Sequence, residues 1–215
     1  MKLKREKRNK LFFLAIFATL ILIHPVYAET FYSPKIKLEY YKEEIDSLIK
    51  LRPNKLSERH KYFSAAFLGK KYKENTLSGD LNNKEIFVIN FDQMDCFTYV
   101  DYLHSLLKAE NYYHFVRTLK KVRYKDGVVS FKNRNHFFYN WLENVEGIKD
   151  VTQKISYGNS TSVIKNLNQK NSKEFYLDGI KPKKVKIQYL KTEFITNKNL
   201  SNFRSGDYIG IYTDK

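Results

Sequence analysis

The sequence predicts an α+β domain preceded by an export leader. Three observations carry this: a basic then apolar N-terminus, apolar residues at helical spacing through the next hundred residues, and short β-type runs with a strong turn signal after them.

Lys2, Lys4, Arg5, Lys7, Arg8 and Lys10 form a basic start, Leu11 to Ile23 is an apolar stretch, and Val26-Tyr27-Ala28 ends on the small residues that a signal peptidase reads. The apolar stretch is short beside the roughly 20 residues of a membrane span. The expectation is a signal peptide over residues 1–28, cleaved after Ala28, and a periplasmic or secreted protein with no stable membrane span after cleavage. An uncleaved N-terminal anchor is the alternative. No cysteine follows the apolar run, which argues against a lipoprotein, and a single cysteine forms no internal disulfide.

Residues 29–215 are long enough for one domain with a full core. The leader holds six Lys/Arg and one Glu, so the net charge of +16 falls to +11 without it. The remainder is rich in Lys, Tyr and Phe, a balance that suits contact with anionic surfaces. The export signal, with no Arg-rich stripe and no aromatic nucleic-acid motif, argues against nucleic acid as the partner.

Tyr40 to Leu51 has Tyr41, Ile45, Leu48 and Ile49 at helical spacing and is stopped by Arg52-Pro53-Asn54. Leu56 to Leu68 reads as a second helix, with Tyr62, Phe63, Ala66 and Phe67 inward and Gly69 at its end. Ile86 to Asn90 reads as a strand. Phe97, Val100, Leu103 and Leu107 form one stripe of a helix that starts at Cys96, and His114 to Lys121 reads as a short helix. Val122–Tyr124 and Val128–Phe131 flank Lys125-Asp126-Gly127, where Asp-Gly predicts a hairpin. His136 to Val145 is an aromatic helix carrying Trp141, the only tryptophan. Beyond Asp150 the pattern turns to short β-type runs, Val185–Tyr189 and Tyr208–Tyr212, joined by Asn/Ser/Lys loops. No internal repeat, phosphate loop or metal-ligand spacing is present, so no cofactor or metal is expected.

Cys96 is the candidate for chemistry. It follows Asp95, a good N-cap, at a strand-to-helix junction. Unpaired N–H groups and the positive end of the helix dipole favour a thiolate there. A buried, inert thiol is the competing reading.

Five stretches, in order and spacing, carry a resemblance: Met94–Asp101, Val122–Gly127, Arg134–Trp141, Asp150-Val151-Thr152 and Ser205–Ile209, with Phe67–Tyr72 at its start. The chain resembles the N-acetylmuramoyl-L-alanine amidase-like branch of the NlpC/P60 superfamily, papain-like cysteine hydrolases of the bacterial cell wall. The resemblance implies helices packed on an antiparallel sheet, Cys96 as nucleophile at the head of a helix, a His base from a neighbouring strand, and peptidoglycan fragments (muropeptides) as substrate. It further implies a location near the cleft for His136, as a substrate-positioning or structural residue rather than a recruited base; Arg134 could pair an anionic substrate group or be a surface arginine, and Tyr139 and Trp141 could line a sugar platform or belong to the core.

The chain departs from that pattern at its end. The family's base follows a Gly-Asp-led strand, and this sequence reaches Gly206-Asp207-Tyr208-Ile209 and stops at Lys215. The domain is therefore expected to be incomplete at its C-terminus, with activity uncertain. His104 lies eight residues after Cys96 on one helix, roughly 12 Å along its axis, too far for a hydrogen bond. His60 and His114 have no motif around them, and His24 belongs to the leader. Two other readings stay open: a muropeptide-binding remnant that does not cleave, and a basic surface- or nucleic-acid-binding protein.

Overall fold

The computed structural model describes residues 38–212, so the leader and the boundary expected at Ala28 lie outside the described residues. The chain divides between Tyr40 and Tyr41, and the unit that starts at Tyr41 carries the helices and strands of the domain. The expected mixture of helices and short strands is present. Among the described residues no helix is long and apolar enough to cross a membrane.

Helix α1 (Lys42–Lys50) buries Ile45 and Ile49, at the spacing the sequence shows. Helix α2 (Leu56–Ala66) buries Phe63, and Gly69, at φ +79°, turns the chain out of it as a left-handed C-terminal glycine does. The next residues form β1 (Lys71–Tyr72), which pairs in parallel with β2 (Gln93–Met94), Lys71 opposite Gln93 and Tyr72 opposite Met94. Helix α3 (Cys96–Lys108) follows directly, then α4 (Tyr112–Arg123).

Every residue of α3 from Asp101 to Leu107 is buried, so α3 is a central helix surrounded on all sides. The expected stripe is only one of its faces: Phe97 and Val100 pack on Val122, Trp141 and Val145. On another face Phe67, Phe91 and Tyr102 meet at ring-centroid distances of 5.0 to 6.4 Å, and Phe115 of α4 joins Phe91 at 5.9 Å. Edge-to-face aromatic contacts of this kind contribute beyond their buried area.

Helix α5 (Phe138–Asn144) presents Trp141 to the core, and the short α6 (Thr152–Ile155) leads to a hairpin of β3 (Ser160–Leu167) and β4 (Lys183–Leu190), antiparallel with Ser160 opposite Leu190. A last helix, α7 (Asn197–Leu200), precedes an irregular C-terminal segment.

Several expectations are corrected. Ile86–Asn90 is not a strand; Ile86 makes one isolated bridge to Ser78. Val122 and Arg123 belong to α4 rather than to a hairpin arm, although Asp126 and Gly127 adopt the left-handed backbone that Asp-Gly predicts, at φ 56° and 70°. β3 lies in a stretch expected to be loop. Tyr208–Tyr212 has no strand partner among the described residues. Among those residues, antiparallel strand pairing is confined to β3–β4 and isolated bridges, and the Cys96 helix packs on other helices.

Candidate active site

Cys96 is exposed and is the first residue of α3. The junction is fixed by a reciprocal cap. Asp95 Oδ1 accepts from Phe97 N at 3.0 Å, Thr98 N at 2.7 Å and Thr98 Oγ1 at 2.8 Å, while Asp95 N donates to Thr98 Oγ1 at 3.0 Å. Tyr99 N donates to Asp95 O. Among the described residues the N–H of Cys96 itself makes no hydrogen bond, so an open donor lies beside the thiol at the positive end of the helix.

The thiol opens on a shallow cleft of about 210 Å³ lined by Phe67, Lys70, Tyr72, Met94, Asp95, Cys96 and Tyr99. The frame is rigid where it matters: Lys71 N donates to Asp92 O and Lys73 N to Met94 O, tying β1 to the residues that enter α3. Tyr72 is held above the ordinary phenol range, by desolvation first and then by Glu74, Cys96 and Asp95. It therefore stays a neutral donor.

The other sequence-derived candidates lie elsewhere, and none of them lines this cleft. Arg134 pairs with the buried carboxylate of Glu85 and donates to Ser78 O at 2.8 Å; Tyr124 donates to the same carboxylate at 2.7 Å. His136 contacts Phe131 O through Nε2 at 2.7 Å and stacks edge-on to Phe131, and burial lowers its basicity. Arg134 also covers Phe131, so Arg134 and His136 are brought together there. Tyr139 lies under the Lys183 ammonium at 5.6 Å. Trp141 is fully buried beside Phe138, His104 and Tyr208.

Among the described residues none of the four histidines lines the cleft. His104 is buried, its Nδ1 is 3.3 Å from Tyr208 Oη, and burial, then Lys108 and His60, push its pKa down to about 4. His60 backs onto Gly206, and His114 faces Glu110 at 3.8 Å.

Sequence reasoning did not single out Lys70, Tyr72 or Tyr99. For Lys70 and Tyr72 the signal was the helix stop at Gly69, which returns the chain as a strand beside the residues that precede Cys96; for Tyr99 it was the position one helical turn after Cys96.

The fold has a known counterpart. A solved structure from Legionella pneumophila, described by the family model DUF1460, superposes with a TM-score of 0.66 at 23% identity, covering 81% of this chain and 72% of that one. An N-acetylmuramoyl-L-alanine amidase from Bacteroides uniformis matches at 26% identity and TM-score 0.42, over 51% of this chain and 48% of that one. A structure described as a putative xylanase from Bacteroides fragilis matches at 28% identity and TM-score 0.42, over 49% and 48%. The chain thus spans about half the length of each Bacteroides protein. No curated protein matches the chain significantly. The AmiA-like family model, described as N-acetylmuramoyl-L-alanine amidase-like, matches residues 62–215, which include every residue of the Cys96 cleft, and the chain belongs to that family.

Proposed function

We propose that the protein is an exported cysteine hydrolase of the cell wall that cleaves the amide between N-acetylmuramic acid and L-alanine. The observation that supports it most is Cys96 itself: the one thiol of the chain, exposed, capped into the first position of α3 and open to a cleft within the family-matched region. In the reaction, Cys96 Sγ bonds to the amide carbonyl carbon, the C–N bond breaks, and the thiol proton ends on the departing amine. The open Cys96 N–H suits the oxyanion that forms on the way. Water then hydrolyses the thioester, giving a carboxylic acid and restoring the thiol. The leader-like residues 1–28 support delivery to the periplasm or beyond, and the papain-like NlpC/P60 relationship belongs to the same reading.

A specific observation favours a second reading, a muropeptide-binding protein that does not cleave: no described histidine lines the cleft to take the thiol proton. One experiment separates the two. Purified protein is incubated with a disaccharide-peptide and the products are weighed by mass spectrometry, with calorimetric binding measured in parallel. Release of free peptide that Cys96→Ser abolishes supports the hydrolase. Binding without release supports the second reading, and neither binding nor release overturns both.

A further inference from the structure

Lys70 lines the Cys96 cleft with its side chain about two-thirds shielded from solvent. Its ammonium carries three donors, yet among the described residues it makes no hydrogen bond and meets one carboxylate, Glu44 of α1, at a loose 3.8 Å. Among the described residues it is the one cation that lines the cleft, and with no close acceptor it is available to give an incoming anion a charge-assisted hydrogen bond. The position is set by backbone rather than by a flexible loop. Gly69 turns the chain at the end of α2, Lys70 N donates to Phe67 O at 3.2 Å, and the β1–β2 pairing starts at the next residue. The carboxylate that lines the cleft, Asp95, receives the three donors of the cap through Oδ1.

We propose that Lys70 is a specificity-determining residue that exchanges the loose contact with Glu44 for a carboxylate of the substrate, so that the cleft selects acyl compounds bearing a negative charge close to the scissile amide. This rests on the reading of Cys96 as the reacting thiol and adds the charge class of the substrate. Glu44 then acts as a weak internal competitor.

The test uses two alkylating reagents that differ in charge, iodoacetate and iodoacetamide. Cys96 is the only thiol, so labelling followed by mass spectrometry reports on this site alone. For the whole protein, the iodoacetate-to-iodoacetamide rate ratio should exceed that of N-acetylcysteine by about threefold at low salt and shrink as salt is added. Lys70→Gln should bring the ratio back to that of the model thiol, Lys70→Arg should retain it, and Glu44→Gln should raise it. A wild-type ratio equal to the model thiol, or one unchanged in Lys70→Gln, overturns the proposal. Because the readout needs no hydrolysis, inactivity towards muropeptides would sink the hydrolase reading while leaving this result standing.

Discussion

At the scale of single residues, the most consequential pair is one that carries no chemistry. Arg123 and Asp101 are both fully or almost fully buried, with Arg123 Nε donating to Asp101 Oδ2 at 3.0 Å and Nη1 to Val88 O at 2.6 Å. Burial pushes Asp101 up to about 6 against the pull of Arg123, and Arg123 stays charged against the cost of its own burial with the Asp101 carboxylate beside it. Removing one partner strands the other charge in the core. Arg123→Met should therefore cost about 3–5 kcal/mol in urea unfolding, while Asp101→Leu/Arg123→Met should recover most of that loss. A double variant as unstable as the single one would show that the pair's other hydrogen bonds, not charge balance, set the cost. Neither residue stood out in the sequence, because nothing local marks two charges 22 positions apart as partners. Asp95 did stand out, since everything it does as a cap happens within three residues. Asp95→Ala should cost about 1–2 kcal/mol, and Asp95→Asn much less, because the amide oxygen still caps.

At the scale of elements, the helices up to Asn144 were legible, whereas the short α6 and α7 and several strands were not, and for the strands the reason is physical. Helical hydrogen bonds are local, whereas a β-type run becomes a strand only if a partner arrives. Around Ile86–Asn90 side chains arrive instead: Val88 O accepts from Arg123, and Asn90 N donates to Tyr102 Oη at 2.9 Å. Val88 O and Asn90 N are thus satisfied without a ladder. The Asp-Gly turn is formed but the expected hairpin is not: the incoming arm is claimed by α4, since Val122 and Arg123 are both needed inside, and Val128–Phe131 forms no strand, leaving one isolated bridge between Tyr124 and Arg134. In the C-terminal run the alternation is real: Tyr208 packs on Trp141 at 5.2 Å and Tyr212 on Tyr189 at 4.9 Å, while Ile209 and Ile211 face solvent. What holds this segment is close contact. A Cβ on Gly210 would lie 2.8 Å from the ring of Phe138, which itself stacks on Trp141. Gly210→Ala should lift the segment, lowering stability by about 1–3 kcal/mol and raising amide exchange across residues 203–212. Unchanged exchange there would mean that the ring simply moves aside.

At the scale of the whole molecule, acid response is a contest between buried groups of opposite sign. His104 has a folded pKa near 4 and an ordinary value of 6.5, so the unfolded chain takes the proton first as pH falls. Its contribution to stability is complete above pH 6.5 and is lost as pH drops towards 4. His136, lowered by its own burial, acts in the same direction. Asp101 acts oppositely: raised to about 6 from 3.8, it favours the folded state at the acid end and loses that contribution as pH rises through 6. Around His104, Lys108 on its own helix and His60 on α2 oppose a positive charge, Trp141 of α5 presents an apolar ring, and Tyr208 Oη supplies a polar contact. Among the described residues Nε2 of His104 is buried without a partner, so protonation finds no acceptor there on that side. Because the opposing contributions overlap, the raw pH profile does not isolate any of them, but a variant does. His104→Phe keeps an aromatic ring against Trp141 and removes the titration. Measured by urea unfolding at pH 7.5 and pH 4.5, the stability difference between the two pH values should change by about 2–3 kcal/mol relative to wild type, in the direction of a more acid-tolerant fold. Any loss that the variant suffers from the missing Tyr208 contact appears equally at both pH values and cancels in that comparison. An identical difference in variant and wild type would show that the folded protein accommodates a protonated His104, with the segment around Tyr208 as the element that would have to move.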